Sequence, residues 1–269
     1  MRRAHSYRGA VSTRCARKAG RAMFSISRFR MIAAALALGA LPLAALVPAT
    51  PALAQANAPD NAAYEELLAS MEAAVDQKLV LDSSLAALGR ESASTPEFSQ
   101  AEAASPGIIA EVVAGIRPII EGQSARVAKL YRPTTLALFA RHLSPADARD
   151  VAAFYRSDLG RKMMGSFSRQ FTPEATLSGL ETAAPVTREQ VEADLGKAAN
   201  ATVSAMSQDE LMELGRLALA KPALLKLSLI GPGVQEIRVQ MENEPLTAEE
   251  DAAILAVVED VFGRRFAAQ

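Results

Sequence analysis

Phe154-Tyr155-Arg156-Ser157-Asp158-Leu159-Gly160 sets a serine, an arginine and an aspartate side by side, the raw material of a nucleophilic centre. A serine attacks only when a positioned base takes its proton and N–H groups hold the oxyanion. The only histidine beyond residue 54 is His142, at the end of the preceding helical stretch, where a cationic imidazole would complement the helix dipole. A structural reading suits the string better. Phe154 and Tyr155 fill a hairpin core, Ser157 caps the second helix, and Gly160 lets the helices approach. A zinc site needs several His or Cys ligands, and Cys15 is the chain's one cysteine. The acid pairs Glu65-Glu66, Glu249-Glu250-Asp251 and Glu259-Asp260 lie on helices with apolar opposite faces and read as solvated surface. No acid cluster surrounds a glycine turn as calcium requires, and there is no phosphate-binding or dinucleotide fingerprint. The sequence therefore assigns no catalytic, cofactor-binding or metal-binding residue.

Two softer features remain. Arg161-Lys162, Arg169 and Arg264-Arg265 could receive an anionic group at hairpin ends, though a solvated end is the simpler account. Met163, Met164, Met206, Met212 and Met241 could line an adaptable groove or simply fill a helical core.

The elements that carry these residues share a repeated phrase. A helix-start box runs into a basic turn at residues 143–163 and 246–266, with a weaker copy at 206–226. Ser144 with Asp147, Ser207 with Glu210 and Thr247 with Glu250 have capping-box spacing, and Thr187 with Gln190 adds a fourth start. Leu143, Met206 and Leu246 precede three of these caps in the staple position. In the two stronger copies Gly160 corresponds to Gly263, and Arg161-Lys162 to Arg264-Arg265. Helical periodicity covers 61–81 and 107–130; Pro118 is expected to kink or split the latter, and Pro133 to sit in the first turn of the next helix. Residues 89–106, rich in Ser with Thr95 and Pro96, read as a loop or mobile linker. Gly231-Pro232-Gly233 reads as a break, followed at 234–241 by a short helix or a strand. The fold class is all-α: packed helical hairpins with a degenerate internal repeat, behind a cleaved signal peptide. Its expected divisions are 1–54, 55–106, 107–171 and 172–269.

Arg28 and Arg30 precede an apolar run at 31–47, closed by Pro48, Pro51 and Ala52-Leu53-Ala54. That is the plan of a secretory signal peptide cleaved after Ala54, with Met23 a natural start for it. Residues 1–54 hold nine of the chain's 29 basic residues and none of its 30 acids, so the exported part has 20 basic against 30 acidic residues. A net charge near −10 disfavours nucleic acid, whose phosphates need a basic face. With Cys15 removed no disulfide can form, and stability must come from packing. Aromatics make up 5% of the chain and Trp is absent, which favours Ala- and Leu-rich helices packed closely.

YRPTTLALFARH followed by LSPADARDVAAFYRSDLGRKMM resembles a family of exported bacterial proteins, the domain of unknown function 2059. The resemblance covers about residues 107–171, on Ser144, Asp147, Phe154, Tyr155, Ser157, Gly160 and Arg161. It implies an all-helical periplasmic domain and supplies no established reaction.

The expected function is that of a non-enzymatic interaction or chaperone-like protein of the periplasm, whose partner is an unknown envelope protein. No membrane span is expected after signal cleavage, and the oligomeric state is left open. One alternative is a carrier of a small apolar or amphipathic ligand, with a cavity lined by Phe139, Phe154 and Met163. The other is a hydrolase using carboxylates, which needs two acids converging in a cleft.

Overall fold

The computed structural model describes residues 61–178 and 184–267. Every regular element among them is a helix. The expected signal segment and its cleavage site lie outside these residues.

The first helical stretch is two helices, α1 (Asn61–Ala74) and α2 (Gln77–Ser94). Asp76 divides them because its carboxylate accepts from the Leu79 N–H at 3.0 Å and starts a new helix. The stretch read as a loop at 89–106 is mostly helical. It completes α2, and Pro96 opens α3 (Pro96–Ala104) at a position where its missing N–H costs nothing. Glu102 then reaches across the corner, accepting from the Gly107 N–H at 2.5 Å and the Ile109 N–H at 3.1 Å. Gly107, at φ 86°, takes the left-handed turn that aims α4 (Ile108–His142) at 112° to α3.

Neither proline divides α4: Pro118 and Pro133 both lie inside one 35-residue helix, about 50 Å long at 1.5 Å per residue. Tertiary packing outweighs the lost N–H bonds, because α4 threads two cores. Ile108, Ile109, Val112, Ile116 and Ile120 belong to one, together with residues of α2 and the last helix. Val127, Leu136 and Phe139 belong to the other, together with α1 and the hairpin that follows.

That hairpin is α5 (Pro145–Arg156) and α6 (Asp158–Gln170). A single turn, α7 (Glu174–Leu177), precedes α8 (Arg188–Ser204). Then come α9 (Gln208–Ala220), a second short turn α10 (Pro222–Leu225), α11 (Leu227–Glu242) and α12 (Ala248–Ala267). All four predicted helix starts form reciprocal caps. The Ser207 and Thr247 N–H groups, for example, donate to Glu210 and Glu250 at 2.9 and 2.8 Å.

Two expectations at the C-terminal end are corrected. Gly231-Pro232-Gly233 does not break the chain but lies within α11. A Cβ at Gly233 would sit 2.5 Å from Leu138 Cδ1, so the glycine serves a close crossing of α11 over α4. The last copy of the phrase is one continuous helix, not a hairpin. The first copy turns at Ser157, whose hydroxyl accepts from the Gly160 N–H at 3.1 Å. Its counterpart Asp260 instead accepts from Arg264, one turn on, at 3.0 Å, and the helix runs through. The middle copy does turn, at Lys221-Pro222, where α9 meets the α10–α11 run at 102°.

Candidate functional site

The motif residues lie at the two ends of α5: Ser144 and Asp147 cap its start, while Phe154, Tyr155, Ser157, Gly160 and Arg161 build the α5–α6 corner. Ser144 and Asp147 form the capping box of α5: the Asp147 N–H donates to Ser144 Oγ at 3.2 Å, and the Ser144 N–H donates to Asp147 Oδ2 at 3.0 Å. Phe154 and Tyr155 are buried with their rings edge to face, centroids 5.5 Å apart. Burial pushes the Tyr155 phenol far above its usual range. Ser157 accepts from Gly160 and donates its own proton to the Phe154 carbonyl at 2.7 Å, so its hydroxyl is occupied as a cap. Gly160 is the tightest point: a Cβ there would lie 2.1 Å from Phe154 O. Arg161 folds back on Asp158 at 2.5 Å and on the Arg156 carbonyl.

His142 is the last residue of α4, as expected, but burial and the adjacent Arg141 lower its pKa, which favours the neutral ring. The basic pairs suggested for an anion are engaged elsewhere. Lys162 pairs with Glu210, and Arg264 and Arg265 both pair with Glu111, at 2.6 and 2.7 Å. Among the described residues, no three His, Cys, Asp or Glu side chains gather in a metal-binding group.

What the corner positions is α9. Glu210 in its first turn is bound to Lys162 of α6, and Lys221 at its C-cap to Asp150 of α5 at 2.9 Å. Just beyond, Lys226 reaches Asp147 of the capping box at 2.6 Å. These contacts hold the carboxyls of Asp147 and Glu210 down at about 2, with the lysine hydrogen bonds first and the serine caps next. Leu214 and Leu217 rest partly buried on the core beneath. The other apolar side chains of α9 do not: none of its 13 residues is buried. Leu211, Met212 and Leu219 are exposed, Leu219 to 81%. Past the bend Leu225 and Leu229 are exposed too, Leu229 to 60%. At 100° per residue Leu211, Met212, Gly215 and Leu219 share one face, opposite the side that carries Leu214 and the two anchoring charges. The spacing was legible in the sequence. That this face has no partner among the described residues was not, because an apolar stripe ordinarily meets a core.

A concavity of about 290 Å³ lies between the α1–α2 corner and α4. Leu81, Ala125 and Ala128 line it together with Glu72, Glu121 and Ser124. Two carboxylates thus share its walls, each beside an arginine: Arg132 is 3.5 Å from Glu72 and Arg117 is 3.8 Å from Glu121. Burial is the largest influence on Glu72 and raises its pKa. This is not where the sequence placed a ligand cavity; Phe139 and Phe154 are packed in the core, with Met163 against it.

With this geometry in place, one family comparison bears on it. The model of the domain of unknown function 2059, described as an uncharacterized protein conserved in bacteria, matches residues 132–166. The match takes in the end of α4, all of α5 and most of α6, and so every motif residue. It is narrower than the resemblance over about residues 107–171. No curated protein and no solved structure matches the chain.

Proposed function

We propose that this is a non-enzymatic interaction protein of chaperone-like type, exported to the periplasm, which receives an apolar segment of a non-native polypeptide on the outer face of α9. The observation that carries this reading is an amphipathic helix, capped and pinned at both ends, with no buried residue. A solvated helix has no use for Leu211, Met212 and Leu219 on one side, and an exposed apolar patch with a polar surround is what partner binding requires. Asp209, Arg216 and Glu213 border the stripe on its Met212 side, and the chain beyond residue 54 carries 30 acids against 20 bases, so basic amphipathic client segments fit best.

The test uses the chain beginning at Gln55 and a reduced, aggregating polypeptide such as insulin. Wild-type protein should suppress light scattering at near-stoichiometric ratio, and a Leu211→Glu/Leu219→Glu variant should not. Both side chains are exposed, so the variant should melt within about 0.5 kcal/mol of wild type. Equal suppression by the two proteins, or none by either, removes the reading.

The concavity beside Glu72 supports a second reading, a carrier of a small amphipathic ligand. It holds an apolar floor and, in Ser124, a buried hydroxyl without a hydrogen-bond partner. Native mass spectrometry of gently isolated protein separates the readings: a small discrete added mass lost in an Ala125→Trp variant favours the carrier.

A further inference from the structure

Three charged side chains meet in the interior where α8, α11 and the end of α6 converge. Asp194 and Arg238 are 4% exposed and Glu242 is 2% exposed. Asp194, on α8, accepts from the Ala175 and Thr176 N–H groups, both at 2.8 Å. It thereby caps α7 from outside, for α7 has no side-chain cap of its own. Arg238 donates from Nε to Glu242 Oε1 at 2.8 Å and lies over the Phe171 ring, 5.7 Å from its centroid. The second Glu242 oxygen, Oε2, is buried with no hydrogen-bond partner.

The charge count does not balance: two of these three buried groups are carboxylates, and the one guanidinium is paired with Glu242 alone. Asp194 is satisfied by two backbone donors, so the surplus falls on Glu242, which has one donor and an idle oxygen. Burial, with Asp194 adding to it against the pull of Arg238, pushes the Glu242 carboxyl up to about 7. The other charged groups nearby are engaged elsewhere. Arg126 and Tyr131 of α4 meet Glu244, and Arg188 of α8 meets Glu192 and Gln235.

We propose that Glu242, Arg238 and Asp194 form a proton-operated lock on α7. With a proton on Glu242 the cluster is neutral, and α7 stays docked on the Asp194 carboxylate. When the proton leaves, an uncompensated negative charge sits in the core, and the cluster relieves it by opening to water. The element that yields is α7, one turn long and held at its N-terminal end by Asp194 inside and by the exposed pair of Glu174 with Lys197 of α8 at 2.6 Å, beside Arg90 of α2. The device responds to pH across the range just below neutrality, above the ordinary range of a carboxylate in water.

Hydrogen exchange at the Ala175 and Thr176 amides reads the lock directly. The Glu242 carboxyl is raised in the closed state and ordinary once opened, so closure is favoured fully below about 4.5 and loses ground as pH rises towards about 7. Corrected for intrinsic exchange, protection should fall about tenfold per pH unit between roughly pH 5 and 6.5, then level off above about 7. In Glu242→Gln it should stay flat across that span. Protection independent of pH in the wild type, or the same decline in the variant, overturns the proposal. If Glu242→Gln does not fold, the carbon chemical shift of the wild-type Glu242 carboxyl decides: a midpoint near 7 supports the lock, and one at or below about 4.5 ends it.

Discussion

Gly160 shows how a single missing atom shapes the motif corner. Ser157 must cap α6 while α5 ends only one residue earlier, and this brings the Phe154 carbonyl to where a Cβ would stand. Gly160→Ala is accordingly expected to destabilise the protein by about 1–3 kcal/mol, measured by chemical denaturation. An unchanged midpoint would show that the corner relaxes freely. Gly263, its counterpart in the last copy, meets nothing within 4 Å, and the same substitution there should be tolerated. Asp147 gives a second residue-scale outcome. Its folded-state carboxyl, held at about 2 against an ordinary 3.8, contributes stability present above pH 4 and lost as pH falls towards 2. Melting temperature should therefore drop between pH 5 and 2.5 more steeply in the wild type than in Asp147→Asn; parallel curves would deny the carboxylate that role. The structural roles of Ser144, Asp147, Ser157 and Gly160 were legible because caps and close approaches act within a few residues. The lysine partners of Asp147 and Glu210 were not, since Lys226 lies 79 residues away and Lys162 lies 48.

At the scale of elements, local signals succeeded where local energies decide. Each capping box opened a helix at the expected residue. Prolines and glycines misled wherever tertiary contact outweighed a lost hydrogen bond: Pro118 and Pro133 ride inside α4, and Gly231-Pro232-Gly233 inside α11, because both helices are held by cores on their buried faces. Ser-rich 89–106 misled differently. Serine is a moderate helix former, and Leu88, Ala101 and Ile108 bring that stretch into a core. α9 is the opposite case, a helix with strong local signals and little tertiary support. Only Leu214 and Leu217 seat it, aided by ion pairs that are individually weak in solvent. Leu214→Glu/Leu217→Glu should raise amide exchange along residues 208–220 while leaving α4 and α5 protected. A uniform loss of protection across all helices would mean that α9 is integral to the fold.

For the whole molecule, α4 acts as a spine with a core at each end, and Arg126 ties it to α12 through a two-point bond to Glu250 at 2.9 Å. The segment that the family model matches, 132–166, contains the α5–α6 hairpin to which α9 is pinned. In the proposed reading the frame supplies stability and the outer face of α9 receives the client. The most direct test places a photo-crosslinking residue at position 219 and, separately, at position 130, where Leu130 is exposed on a different helix, α4. Each protein is illuminated with a reduced, unfolding client, and the cross-linked client is quantified. The account predicts capture at 219 well above that at 130, abolished by Leu211→Glu. Equal capture at the two positions, or none at 219, would contradict it.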